Sequence, residues 1–66
     1  MRYAKLRGII REKFGTQEAF AAAMGMHTAT LSGKLNGATE WSRAEIVKAA
    51  EVLGIPLEDI WVYFLS

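Results

Sequence analysis

Thr16–Gly37, TQEAFAAAMGMHTATLSGKLNG, decides the fold. Gln17–Met24 are good helix formers, with four alanines among them. Phe20 and Met24 stand four apart and share one face. Gly25 follows as a stop, where the backbone often needs φ > 0. After Met26 and His27, the pattern predicts a second short helix from Thr28. Leu31 and Leu35 form its inner face, and Ala29, Ser32, Gly33 and Asn36 point the other way. Asn36-Gly37 is a turn or stop signal. Two short helices, a tight glycine turn and a small polar outer face describe a helix-turn-helix.

Upstream, Leu6, Ile10 and Phe14 repeat at spacing four, with Ile9 beside them, and predict a helix over Tyr3–Phe14. Its basic residues cover the other face. They can be a solvated surface, or Arg11 and Lys13 can reach phosphates. Thr16 suits the N-cap of the next helix and Glu18 suits the positive end of its dipole. Gln17 is either a phosphate donor or an ordinary exposed glutamine. Ala21 and Ala23 are expected near the inner face, with Ala19 and Ala22 outside. Thr28 is expected to cap the second motif helix in place of His27.

Downstream, Trp41 can plug the core or stack on a base, and its apolar area favours the core. Ser42-Arg43-Ala44-Glu45 reads as a capping box opening a fourth helix. Ile46, Val47, Ala50 and Leu53 are its expected inner face. Arg43 in the first turn opposes the dipole, which points to a phosphate. Gly54 ends that helix and Ile55-Pro56 starts a fifth. Leu57, Ile60 and Phe64 can face the core. Trp61, Tyr63 and Leu65 cannot all do so in one helix. Either they form the interface of a twofold homodimer, or the last residues fold back over the core.

The chain has 66 residues, read as one domain with a modest core. It has no cysteine and one histidine, so no thiolate site, structural zinc site or other metal is expected. No cofactor and no small-molecule ligand is expected. No apolar run reaches the roughly 18 residues of a spanning helix, and no signal peptide is read at the amino end. No membrane role and a cytoplasmic location are therefore expected. The net charge is only +1, but it is unevenly spread. Arg2, Lys5, Arg7, Arg11 and Lys13 face only Glu12 in the first fourteen residues. From residue 40 on, Arg43 and Lys48 face Glu40, Glu45, Glu51, Glu58 and Asp59. A phosphate backbone would attract one end and repel the other.

The run Gln17, Ala21, Gly25, Leu31 and Asn36-Gly37 resembles the Cro/cI-type (XRE) helix-turn-helix family of phage and bacterial repressors. Leu31-Ser32-Gly33-Lys34-Leu35-Asn36-Gly37 is similar to a branch of small, single-domain phage-associated regulators. The resemblance covers nearly the whole chain, with one helix before the motif and two after it. It implies an all-α, compact five-helix bundle of the lambda-repressor-like kind. It also implies a sequence-specific transcriptional regulator, a repressor, that binds double-stranded DNA as a homodimer, with the second motif helix in the major groove. By position, Thr28, Ala29, Ser32 and Gly33 would face the bases. Thr16, Gln17, His27, Thr30, Lys34, Asn36 and Arg43 would touch phosphates or flank the reading face.

Four departures qualify that expectation, one of them Gly33, which lies mid-helix and costs stability. None of the four base-facing positions holds an Arg, Gln or Asn able to make a bidentate base contact. His27 stands at the cap position. Ile10 and Leu35 occupy positions where the family pairs an arginine with a glutamate, so an apolar contact is expected there. The alternative function is a protein-interaction module of the same fold, with the apolar carboxyl end as its contact surface. An enzyme is not expected, because no paired carboxylates, Ser/His/Asp set or glycine-rich phosphate loop is present.

Overall fold

Helix ends are written into the chain as caps. In the computed structural model, which describes residues 2–65, α1 spans Ala4–Phe14, α2 Gln17–Met24, α3 Thr28–Leu35 and α4 Arg43–Leu53. A 3-10 turn over Leu57–Asp59 leads into the short α5, Ile60–Phe64. The described residues are all helix, turn and loop, as the sequence predicts. Thr16 Oγ1 accepts the Ala19 N–H at 3.1 Å and opens α2. Gly25, at φ 72°, closes it: Gly25 N–H reaches the Ala22 carbonyl and Met26 N–H the Ala21 carbonyl. The predicted capping box of α4 forms in full. Glu45 N–H donates to Ser42 Oγ, and Ser42 N–H donates to Glu45 Oε1.

The helices close on one core of Leu6, Ile10, Phe20, Ala21, Met24, Leu31, Leu35, Ala49, Ala50, Leu53, Ile55 and Phe64. α2 packs against α1, α3 and α4, whereas α3 is held mainly by α2 and lies at the side of the bundle. Trp41 plugs the open side of this core. Its ring meets Phe64 edge-on at 5.2 Å and Tyr3 at 6.4 Å. Its indole N–H is buried without an acceptor.

Several expectations shift. Tyr3 is not the first helical residue; it sits before α1 at φ 57°. Val47 turns partly to solvent and Ala49 takes its place in the core. The stripe of α4 centres on Ile46, Ala49, Ala50 and Leu53, and a small residue lets α4 approach α2. Ala23 is exposed and Ala19 half-buried, the reverse of expectation. His27 is the N-cap of α3, but neither its side chain nor that of Thr28 caps it. Pro56 does not start a helix. The 3-10 turn that follows carries Leu57 out to solvent.

Candidate functional site

α2, the turn over residues 25–27, and α3 present one continuous surface. His27, Thr28, Ala29 and Thr30 are exposed along the first turn of α3, and Ser32 and Gly33 are half-buried. Gly33 is partly covered by the loop that follows α3. Its carbonyl accepts N–H bonds from Ala38 at 2.8 Å and Thr39 at 3.4 Å. A methyl added at Gly33 would meet Thr39 Oγ1 at 3.7 Å, an ordinary contact. No packing demand explains the glycine. At the start of α2, Thr16 and half-buried Gln17 line a shallow groove together with Arg7 and Arg11 of α1. Arg43 is exposed at the start of α4.

Lys34 is removed from the phosphate-contacting set. It is 7 % exposed, and its ammonium lies 2.9 Å from Glu45 Oε1 and 3.1 Å from the Glu40 carbonyl. Lys34 therefore ties α3 to the capping box of α4. The Ser42 N–H bond and the Lys34 ammonium together hold the Glu45 carboxyl below its ordinary pKa.

Arg7 is the residue that the sequence did not disclose. Its Nη2 donates to the Leu35 carbonyl and to Asn36 Oδ1, both at 2.9 Å, and its Nε donates to the Arg2 carbonyl at 3.0 Å. The guanidinium thus closes the carboxyl end of α3, where helix carbonyls lack partners and a cation is favoured. Ile10 and Leu35 are both buried members of the one core cluster. The link between α1 and the end of α3 is still made by an arginine, three residues earlier than the family pattern implies. The only sequence signal was a cation beside the Leu6–Ile10 stripe, which looks the same as a solvated one.

The carboxyl end behaves differently. Leu57 is 67 % exposed, and Trp61 and Leu65 are each 68 % exposed, at spacing four along the turn and α5. Glu58 and Asp59 are exposed beside them. Tyr63, expected at an interface with Trp61 and Leu65, instead packs half-buried against the core. It stands two residues from each of them, on the opposite face of α5.

Among the described residues, no group of three or more potential metal ligands occurs, and no helix is long and apolar enough to cross a membrane. The geometry thus defines a small all-helical protein with one shared core. Residues 1–66 match the family model described as Protein of unknown function (DUF739), and the chain belongs to that family. Among solved structures it is similar to the solution structure of the modulator of repression (MOR) of the temperate bacteriophage TP901-1 from Lactococcus lactis. The two are 47% identical, with a TM-score of 0.86, over 97% of this chain and 86% of that one. No curated protein matches the chain.

Proposed function

We propose that the protein modulates repression in a phage-type regulatory circuit by binding another protein through the stripe Leu57, Trp61 and Leu65. One contrast carries this reading. Three large apolar side chains stand about two-thirds exposed at the carboxyl end, while the outer face of α3 has no bidentate base reader and its lysine is tied to Glu45. The name of the TP901-1 relative concerns repression, so the partner to seek first is the repressor of the same circuit. Purified repressor titrated with wild type and with Trp61→Ser tests this. Tight binding by wild type and loss in Trp61→Ser supports the reading; equal binding by both sinks it.

The α2–turn–α3 arrangement favours a second reading, a Cro/cI-type (XRE) regulator that binds double-stranded DNA in the cytoplasm. Thr28, Ala29, Ser32 and Gly33 would approach the bases. Thr16, Gln17, His27, Thr30, Asn36 and Arg43 would lie at phosphates, and Trp61 and Leu65 would pair two copies. Affinity for a mixed-sequence duplex, followed as salt rises, separates the readings. Log affinity falls linearly with log salt if the motif docks on phosphates, and Gln17→Ala and Asn36→Ala both weaken it. A pure protein-contact module shows no duplex binding at low salt.

A further inference from the structure

Arg2, Arg7 and Asn36 meet at the carboxyl end of α3. Arg7 reaches across 29 residues of sequence to place its guanidinium on Asn36 Oδ1. The Arg2 side chain lies flat on Gly37. A Cβ built there would stand 2.5 Å from Arg2 Nε, 2.8 Å from Cδ and 2.9 Å from Cζ. Gly37 has φ 81°, so glycine suits both the backbone and this close approach. Two guanidinium groups therefore share the turn over residues 35–37.

Neither has an acid partner among the described residues. Among the described residues the ion pair is Lys34–Glu45, and Arg2 and Arg7 are bonded to carboxylates nowhere. Like charges held against one turn repel, and half-buried Arg7 is screened less than a free side chain. An anion between them removes that repulsion.

Asn36 sharpens the chemistry. A guanidinium only donates, so the amide atom facing Arg7 is the oxygen. The amide nitrogen, with two hydrogens, is consequently turned away toward solvent. Arg7 orients Asn36 as a donor. The free donors of the cluster are then Asn36 Nδ2, Arg7 Nη1 and the whole Arg2 guanidinium.

We propose that Arg2, Arg7 and Asn36 form a cradle for one phosphate of a DNA backbone. Planar guanidinium forks match phosphate oxygens, and an amide adds a directed donor. DNA is the source because the cradle closes the carboxyl end of α3, the helix whose exposed first turn, His27–Thr30, holds small side chains that a groove can accept. This contact rests on the DNA-binding reading above and uses none of the apolar stripe. It gives the protein a sequence-independent hold on a duplex, of the kind that sets register rather than specificity.

The test uses inorganic phosphate first and a mixed-sequence duplex second. Phosphate, against chloride at equal ionic strength, is expected to shift the Asn36 side-chain amide and Arg Nε–H resonances to saturation. The duplex is expected to compete with it. Asn36→Asp places a carboxylate on Arg7 and supplies the anion from within. It should melt no lower than wild type, lose the phosphate response and bind duplex more weakly. Arg2→Ala should weaken duplex binding and lower the slope of log affinity against log salt by about one. The Arg2 side chain bonds nothing else among the described residues, so this variant carries the test if Asn36→Asp does not fold. Unchanged phosphate and duplex binding in both variants overturns the proposal. Phosphate binding with no duplex binding overturns the DNA assignment and leaves a site for a free anion.

Discussion

The end of α3 and the end of the chain treat their surfaces in opposite ways. At residues 34–37 the lysine, the Leu35 carbonyl and the Asn36 amide oxygen are engaged from elsewhere. Lys34 reaches Glu45 and the Glu40 carbonyl, and Arg7 covers the Leu35 carbonyl and Asn36. At residues 57–65 three large apolar groups are left in water. In a chain of 66 residues, where net stability is a small difference, such exposure contributes little to folding. The lesson concerns assignment of roles. Cations near a motif helix can be architecture, and apolar residues at a terminus can be surface.

A pair of leucines tests that contrast most sharply. Leu31 on α3 is fully buried, whereas Leu65 is two-thirds exposed. Leu31→Ala should cost about 2–5 kcal/mol, enough to leave much of so small a domain unfolded. Leu65→Ala should stay within about 0.5 kcal/mol of wild type. Urea denaturation followed by circular dichroism measures both. A Leu65→Ala cost near that of Leu31→Ala would mean that the carboxyl end is covered in solution.

Arg7 comes next. Arg7→Met keeps an unbranched stem but removes the bonds to the Arg2 and Leu35 carbonyls and to Asn36 Oδ1. The Leu35 carbonyl is part-buried, so its loss of a charged donor should cost about 1–3 kcal/mol by the same denaturation. Substituting exposed Lys5, on the same helix, should cost almost nothing. Equal effects would make Arg7 a solvated cation like the others.

How much of this was readable from the chain follows from the physics of each signal. The helices, the Thr16 cap, the Gly25 stop and the Ser42–Glu45 capping box are local, and local spacing discloses them. The core stripe of α1 was equally plain in Leu6 and Ile10. Arg7 and Lys34 were not readable, because their roles depend on partners in other elements: residues 35–36 for Arg7, Glu45 for Lys34. Before folding, a cation on a helix flank looks the same whether it will meet water, phosphate or a carbonyl. Tyr63 was misplaced for a related reason. It was grouped with Trp61 and Leu65 as the excess of one apolar run, and which member of such a run the core takes depends on how α5 packs against α1 and α4.

The Lys34–Glu45 pair predicts a smaller effect with a definite sign. The folded state holds the Glu45 carboxyl lower than its ordinary value, through the Ser42 N–H first and Lys34 second. A depressed carboxyl stabilises the fold above its unfolded pKa of about 4.3, and that contribution is lost as pH falls through the folded value. Melting curves from pH 6 downward should show wild type losing stability through this window. Glu45→Gln should start lower and lose less. Parallel curves would mean that Glu45 titrates alike in both states.

The smallest effect on stability is expected at Trp61. The fold holds one tryptophan against Phe64 and Tyr3, with its N–H buried, and leaves the other two-thirds exposed. Trp61→Ser should therefore melt within about 0.5 kcal/mol of wild type. It should also lose the emission that an aqueous quencher reaches, leaving only the shielded signal of Trp41. If stability falls by several times that amount in dilute monomeric protein, Trp61 belongs to the core and the stripe is not a surface. If it falls only at concentrations where the chain self-associates, a second copy covers the stripe, and stability becomes linked to concentration as in any assembly that binds only the folded form. If it does not fall at all, the apolar area is free for another protein.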